Sequence, residues 1–252
     1  MDKRHLEMFN EQRWYSEHIV HEYFGAPDYA GKTVFEIGCA EGGGLHFFAE
    51  QGARCFGLEY SPGRYRNSLE MNNNKKVTFL LGDFLKPEIY WDKIPGNFNY
   101  IILRDVIEHL QDKKFALKKI YELLAKGGKL FLSFPPKYSP FAGHQQITIS
   151  KFGKLPYIYL LPTSVYKYYL RLLSQPTNSI ENLVSVKKLR ISLHQMGKLL
   201  QEIGFFVEKK DYFLIRPCYE KRYGWKRMKN PFSGIPLLRE VTTLGALYVV
   251  VK

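Results

Sequence analysis

The chain has 252 residues, of which 45% are hydrophobic and 24% charged, which is the balance of a globular protein with one substantial core. No apolar run approaches the roughly 18 residues of a membrane-spanning helix, and three cysteines without a C-x-x-C pair argue against a disulfide framework or a structural zinc site. The formal charge of +13 indicates either an acidic partner or a merely solvated basic surface. The first residues lack the apolar segment of a secretory signal, so we expect a cytoplasmic location.

Short apolar segments in the first half of the chain predict buried strands. They are Thr33–Gly38, Cys55–Tyr60, Val77–Gly82, Asn99–Leu103 and Lys129–Phe134. Helical patterns lie between them, most clearly at Asp112–Ala125, where Asp112 is the expected N-cap and Gly127 with Gly128 the expected stop. This alternation indicates βαβ units and therefore an α/β fold with a parallel sheet.

The alternation of strands and helices stops in the second half. Pro135–Arg190 shows no clear strand, and we interpret it as an insertion over the carboxyl edge of the sheet. A helix is predicted at Ser192–Ile203, and strands at Phe205–Ile215 and Leu244–Val251, which we expect to pair as an antiparallel hairpin at the sheet edge. The prediction is one domain over residues 1–252, with a core at about 30–135 and 192–252 and a cap at about 136–191.

A glycine-rich loop follows the first predicted strand and leads into a helix. It is Glu36-Ile37-Gly38-Cys39-Ala40-Glu41-Gly42-Gly43-Gly44, and Glu59 ends the next strand 21 positions after Gly38. Glycines let a ligand approach the backbone, and a carboxylate at that strand end can accept both ribose hydroxyls, so the pair predicts a nucleoside-containing cofactor. An ordinary turn is the alternative. Ala40 replaces the glycine that would hold a pyrophosphate, which weakens the dinucleotide interpretation.

Five segments, in chain order, resemble the motifs of class I methyltransferases of the type 11 or ubiquinone-pathway kind. Glu36-x-Gly38-x-Ala40-x-Gly42 resembles their E-x-G-x-G-x-G motif, with Ala40 as the departure. Gly82-Asp83-Phe84 resembles their adenine-binding segment, and residues 104–110 resemble their D-x-x-E-H-L segment, which here begins at Asp105 after Arg104. Residues 124–130 resemble their L-x-P-G-G-x-L turn, with Lys126 in place of proline, and Ser192–Phe205 resembles their helix that ends L-L-x-x-x-G-F. The resemblance implies a Rossmann-like, seven-stranded, mostly parallel sheet with helices on both faces and an acceptor-binding insertion.

The same resemblance implies S-adenosylmethionine as methyl donor and S-adenosylhomocysteine as product. The implied cofactor-binding residues are Glu36, Gly38, Ala40 and Gly42 around the amino-acid part, Glu59 on the ribose, Tyr60 and Phe84 flanking the adenine, Asp83 on its amine, and Arg104 and Asp105 beside the methionine. For Tyr60 and Phe84 the alternative is a place in the core, and for Asp83 a turn.

Two histidines are candidate catalytic bases for removing a proton from a hydroxyl acceptor. His109 follows the fourth strand, and His144 lies in a loop after the fifth, so both are expected at the ligand-binding edge of the sheet. Each can instead order its own loop. Asp105-x-x-Glu108-His109 also resembles the metal-binding E-x-x-E-H segment of ubiquinone-pathway O-methyltransferases, but the same pattern occurs in metal-independent relatives, and we predict no metal.

The acceptor is the least determined part of the prediction. The apolar segment Pro156–Leu173 suggests a lid for a small or lipid-linked metabolite, or else a helix packed on the core. The basic, aromatic stretch Tyr219–Asn230 suggests an anionic acceptor or peripheral membrane contact near the cap. We therefore predict methyl transfer to an oxygen of such a metabolite. The alternatives are an RNA methyltransferase, an NAD-dependent oxidoreductase and a cofactor-binding protein without catalysis.

Overall fold

The computed structural model describes residues 3–252, so the first two residues of the predicted domain lie outside the described range. Eight strands form one sheet in the order β3-β2-β1-β4-β5-β8-β6-β7. They are β1 Thr33–Ile37, β2 Arg54–Glu59, β3 Val77–Leu81, β4 Phe98–Arg104, β5 Leu124–Phe134, β6 Phe206–Ile215, β7 Met228–Lys229 and β8 Gly245–Val251. The first five strands are parallel, as the sequence predicts.

The antiparallel part of the sheet differs from the prediction in two respects. The sheet has eight strands instead of seven, because Met228–Lys229 pairs with β6, and a two-residue strand has no apolar run that a sequence can show. The last strand, β8, is not at the edge: it lies between β5 and β6 and pairs antiparallel with both. The two late strands thus pair as predicted, but inside the sheet.

Helices cover both faces of this sheet. They are α1 Lys3–Tyr15, continued by a π-helical turn Ser16–Val20 and by α2 His21–Tyr23; α3 Gly43–Glu50; α4 Pro62–Met71; α5 Lys113–Leu123; α6 Thr163–Leu172; α7 Thr177–Leu189; α8 Leu193–Ile203; α9 Cys218–Tyr223; and α10 Pro236–Thr242. One core cluster joins the sheet to α5 and α8, and a second joins its other face to α1 and α3. Cys39, Cys55 and Cys218 are buried free thiols.

Local signals explain where the two helices of the first cluster begin and end. The Asp112 carboxylate accepts a hydrogen bond from the backbone N–H of Phe115 (2.8 Å) and caps α5, as predicted. Helix α5 ends at Leu123, earlier than the two glycines, because β5 begins at the next residue. Helix α8 starts with a capping box between Ser192 and Gln195.

Residues 135–192, between β5 and α8, contain no strand and pack around their own apolar cluster. Its buried members are Ala142, Tyr159, Tyr166, Leu170, Ile180, Leu183 and Val184. Helix α6 starts after Pro162, and its Tyr166 and Leu170 face this cluster. Among residues 3–252, no helix has the length and apolar character needed to cross a bilayer.

Candidate functional site

The glycine-rich loop joins β1 to α3 in a left-handed backbone conformation. The φ angles of Gly38, Ala40 and Gly42 are 73°, 51° and 82°. A Cβ on Gly38 would lie 2.5 Å from Val106, and one on Gly42 would lie 2.4 Å from Phe79, so both positions require glycine. Gly38 and Ala40 line the main cavity, whereas Gly42 serves the packing of the loop on β3.

Glu59 links this loop to the end of β2. Its Oε2 accepts a hydrogen bond from the Ala40 N–H (2.8 Å), and its Oε1 accepts one from the Ser61 N–H (2.8 Å). The side chain is buried but lines the cavity, and each carboxylate oxygen keeps a second lone pair. The carboxylate can therefore accept further hydrogen bonds from a ligand.

The cavity has a volume of about 890 Å³ and opens at the carboxyl edge of the parallel strands. Its lining includes the predicted residues Gly38, Ala40, Glu59, Tyr60, Asp83, Phe84, Arg104, Asp105 and His109. Eight of the ten predicted cofactor-binding residues, and one of the two histidines, therefore meet around a single space.

Glu36 is a predicted cofactor-binding residue that does not line the cavity. Its carboxyl group is buried beneath the start of α3, where a Cβ on Gly44 would lie 3.0 Å from Oε2, and that oxygen has no hydrogen-bond partner. Burial raises the pKa of Glu36 to about 7. The positive charge of Arg104 opposes this rise, and the negative charge of Glu59 adds to it. Glu36 supports the loop from below and is not part of the cavity wall.

The adenine-flanking aromatics predicted from the sequence lie in different environments. Tyr60 is 75% exposed, whereas Phe84 is buried with its ring stacked on Tyr90. Asp83 accepts a hydrogen bond from the Leu85 N–H (2.9 Å), so it is also the turn residue of the alternative interpretation. Tyr60 is free to move onto a ligand, but the Phe84 ring already has an aromatic partner.

Asp105 is held by an arginine that the sequence did not single out. Its φ angle is 54°, and its two carboxylate oxygens accept hydrogen bonds from Nη2 of Arg216, at 2.7 and 2.5 Å. Burial raises the pKa of Asp105, but Arg216 and Arg104 outweigh it and hold that pKa below its usual range. Asp105 is thus an ionised carboxylate at the cavity wall.

Helix α1 forms a wall of the cavity that sequence analysis missed. Met8, Glu11, Gln12 and Tyr15 line the cavity at the spacing of one helical face, which is the signal that could have revealed them. The Gln12 amide donates to Glu41 (2.6 Å) and accepts from the Gly43 N–H (3.1 Å), so this helix is tied to the glycine loop.

The two predicted bases lie next to each other. The ring centroids of His109 and His144 are 5.0 Å apart; His109 lines the cavity, and His144 lies behind it in the loop after β5. Burial, reinforced by the positive charge of Arg190, lowers the pKa of both rings, that of His144 to about 4. Both imidazoles are therefore neutral near pH 7.

The basic stretch 219–230 forms ion pairs with carboxylates of α1, α2 and β6 and with one of its own. Arg222 pairs with Glu11, Arg227 with Glu22 and Glu220, and Lys229 with Asp211, at 2.6–3.7 Å. Three of its five cations are therefore partly neutralised by carboxylates.

A family model described as a methyltransferase domain matches residues 9–210. The chain belongs to this methyltransferase family. Membership confirms the predicted class of S-adenosylmethionine-dependent methyltransferases and removes the basis for the NAD-dependent alternative.

Several known proteins are similar to the chain. Phosphoethanolamine N-methyltransferase 1 of Zea mays is 33% identical over 106 residues, 41% of this chain and 20% of the maize enzyme. A ubiquinone biosynthesis O-methyltransferase of Pseudomonas aeruginosa is 24% identical over 178 residues, 69% of this chain and 67% of that enzyme. The chain thus spans only about a fifth of the plant enzyme it matches.

Solved structures share the fold. Phosphoethanolamine N-methyltransferase 2 of Haemonchus contortus, in complex with S-adenosyl-L-methionine, has a TM-score of 0.58 at 18% identity, covering 94% of this chain and 52% of that one. A methyltransferase of Mesorhizobium loti has a TM-score of 0.57 at 14% identity, covering 94% of this chain and all of that one. The Rossmann-like methyltransferase fold predicted from the sequence is confirmed.

Glu108, His109 and His144 bring three possible metal-ligand atoms within 4.8 Å of one another. Such a set suits a divalent cation by chemistry. Asp105, the first residue of the metal-binding resemblance, is instead bound to Arg216, and the positive charge of Arg190 acts on both histidines. These cations oppose metal binding, and the absence of a metal stays a prediction.

Proposed function

We propose that this chain transfers a methyl group from S-adenosylmethionine to an oxygen of a small or lipid-linked metabolite. The observation that carries the proposal is that the neutral imidazole of His109 lines the same cavity as the glycine loop and Glu59, with the neutral ring of His144 5.0 Å from that of His109. This arrangement supports a proton acceptor within the same cavity as a nucleoside-type site.

The glycine loop suits a cofactor without phosphate. Its backbone N–H groups are already used: Gly38 and Cys39 donate to Leu58 O, Ala40 to Glu59, Gly42 to Cys39 O and Gly43 to Gln12. These five groups are not free to bind a pyrophosphate, in contrast to a dinucleotide loop. The cavity residues therefore fit S-adenosylmethionine better than NAD.

Within that cavity, Glu59 is placed to accept the ribose hydroxyls and Asp83 the adenine amine, while Asp105 offers a negative charge for an ammonium group. S-adenosylmethionine, when bound, supplies an electrophilic methyl group. The protein contributes alignment of the acceptor and exclusion of water, which together lower the barrier by several kcal/mol.

His109 is the residue placed to remove the acceptor proton. It lines the cavity and its ring is neutral near pH 7, so a ring nitrogen can accept a proton from a hydroxyl group. His144, with a pKa of about 4, is too weak a base for this role at neutral pH. We assign His144 the orientation of His109, since the two rings are adjacent.

The relatives leave the accepting atom open. Enzymes named for N-methylation of phosphoethanolamine and for O-methylation in ubiquinone biosynthesis both match this chain. An already deprotonated or amine acceptor would need no histidine base. An RNA acceptor is the third case, for which the exposed Trp225 and Tyr223 supply possible stacking surfaces.

Variants at the two histidines test the proposal. With a phenolic acceptor and labelled S-adenosylmethionine, His109→Gln should lower turnover by about 10²–10⁴-fold, and His144→Gln by less, with the affinity for S-adenosylhomocysteine unchanged. His194→Gln, an exposed histidine on α8, is the matched control. Equal turnover of both histidine variants and the control would rule out a histidine base. Failure of calorimetry to detect S-adenosylhomocysteine binding would overturn the proposed function itself.

A further inference from the structure

Arg190 lies at the carboxyl edge of the sheet, beside the site just described. It follows α7, and the next residue, Ile191, accepts a hydrogen bond from the Lys137 N–H (2.8 Å), which continues the line of β5 past its end. Helix α7 also packs on the turn that carries Glu108 and His109. The chain thus brings this arginine close to residues that are about 80 positions away in sequence.

Within residues 3–252, the Arg190 guanidinium is buried without an ion-pair or hydrogen-bond partner. The residue is 6% exposed, and none of its three guanidinium nitrogens has a hydrogen-bond partner among residues 3–252. A buried charge is costly unless it is paired and hydrogen-bonded, so buried arginines normally bind carboxylates or phosphates. The Glu108 carboxyl group, on the turn that α7 contacts, is also buried, and its Oε2 has no hydrogen-bond partner among the described residues.

The groups around Arg190 come from several elements. Glu108 and His109 lie on the turn after β4, His144 and Tyr159 in the cap, and Arg216 after β6. Tyr159 donates to backbone carbonyls at 2.6 and 2.7 Å, and Arg216 is bound to Asp105. Tyr159 is a neutral donor and Arg216 is a cation that already occupies the Asp105 carboxylate, so neither Tyr159 nor Asp105 neutralises Arg190.

Two cavities approach this position. His109 lines the main cavity, and Arg190 lines a second one of about 370 Å³ together with Lys113, Lys188 and Lys198. Gln111 belongs to the walls of both cavities. The second cavity has one carboxylate, Glu202, which already pairs with lysines, so its wall is cationic next to the proposed methyl-transfer site.

We propose that Arg190 binds an oxyanionic group of the methyl acceptor, a carboxylate or a phosphate monoester, beside His109. This inference rests on the proposed function. The planar guanidinium offers parallel N–H donors that match either oxyanion, and binding would supply the missing counter-charge. Because the nitrogens are closed off from solvent, the oxyanion reaches them only when the adjoining cap loop moves. Held in this way, the acceptor presents its other end to the main cavity.

Three probes with the same phenyl ring separate the possibilities: phenyl phosphate, benzoate and neutral benzyl alcohol. Each is titrated by calorimetry into the full chain saturated with S-adenosylhomocysteine. We expect at least one anion to bind and benzyl alcohol to bind more weakly than that anion. Arg190→Gln should lower the affinity for the anion by about 10- to 100-fold, and Arg190→Lys should lower it by a smaller factor. Arg171→Gln, which removes an exposed arginine of α6 that lines neither cavity, should leave the affinity unchanged.

The outcomes distinguish the sources of the oxyanion. Tighter binding of phenyl phosphate indicates a phosphate monoester acceptor, and tighter binding of benzoate indicates a carboxylate. If neither anion binds better than benzyl alcohol, or if Arg190→Gln binds the anion as well as Arg171→Gln does, the proposal is wrong.

A measurement on the unmodified protein covers the case in which Arg190→Gln does not fold. The histidine ring NMR signals of His109 and His144 should shift on addition of the anion and not of benzyl alcohol; the absence of such shifts would also overturn the proposal. S-adenosylhomocysteine binding is measured separately, and its absence would count against the proposed function. Anion binding to the cofactor-free chain would still support the proposed role of Arg190.

Discussion

Glu108 is a buried carboxyl group that remains protonated at neutral pH. It is buried beside the two histidines, and burial, with the negative charge of Asp105, raises the pKa of Glu108 to about 8. At pH 7 the group is therefore a neutral hydrogen-bond donor and not a counter-ion for Arg190. This single protonation state leaves the arginine available for an external oxyanion.

Replacing Glu108 by Gln should change how stability depends on pH. Below about pH 4.5 the carboxyl is protonated in both folded and unfolded chains, and between there and about pH 8 only the unfolded chain ionises. Wild-type stability is therefore lost over this range as pH rises, whereas Gln does not titrate. Relative to wild type, the free energy of unfolding of Glu108→Gln should therefore rise by on the order of 3 kcal/mol between about pH 5 and pH 9. Urea unfolding at several pH values measures this difference.

The exposed Glu88 provides the control for this experiment. Glu88→Gln should follow the wild-type pH profile. A constant difference between Glu108→Gln and wild type at all pH values would show that the Glu108 pKa is not raised.

Among the elements, β8 affects the site without lining the cavity. It lies between β5 and β6, and its first residue, Gly245, leaves the space through which Arg216 reaches Asp105. A Cβ on Gly245 would lie 2.9 Å from Nε and 3.0 Å from Cγ of Arg216. A strand placed inside the sheet thus controls a charge at the sheet edge.

Adding a methyl group at Gly245 should disturb this ion pair. Gly245→Ala should destabilise the protein by about 1–3 kcal/mol, because Arg216 must move from a packed position and Asp105 loses charge-assisted hydrogen bonds. The same change at Gly197, in helix α8 with nothing within 4 Å of its Cβ position, should stabilise by about 0.5–1 kcal/mol. Thermal unfolding of both variants measures the contrast; a loss of stability at Gly197 and none at Gly245 would contradict it.

For the whole molecule, the net charge of +13 is distributed less simply than the sequence indicates. In the basic stretch 219–230, Lys221 and Lys226 are the cations without an ion pair among the described residues. Trp225 is 58% exposed between them, and its ring lies 5.5 Å from that of Tyr223. An anionic surface would therefore meet two free charges and an aromatic pair.

We expect this surface to bind anionic vesicles weakly and in a salt-dependent manner. Co-sedimentation should fall as salt rises from about 0.05 to 0.5 M, and Lys221→Glu with Lys226→Glu should abolish it. Reversal of Lys151 and Lys154, which are exposed in the cap, changes the net charge equally and should have a smaller effect. Binding of tRNA in place of vesicles would favour the RNA alternative, and equal loss with both double variants would show that only net charge matters.

Sequence patterns alone predicted the fold class, the five parallel strands and the glycine loop with Glu59, whereas most of the other predicted residues that line the cavity were implied by the resemblance to class I methyltransferases. Each of these depends on signals within one segment: an apolar run, a glycine that permits a left-handed turn, or a carboxylate at a strand end. Glu59 could be assigned to the cavity because parallel strands bring their carboxyl ends to one edge.

Only the tertiary structure decided how distant segments complete the site. Arg216 meets Asp105 across 111 positions, Arg190 lies near Glu108, and helix α1 closes the cavity with Tyr15. It also placed β8 inside the sheet and paired three cations of the basic stretch. These partners are brought together by packing of the whole chain, and a charge or a polar side chain carries no local pattern that names a partner far away in sequence.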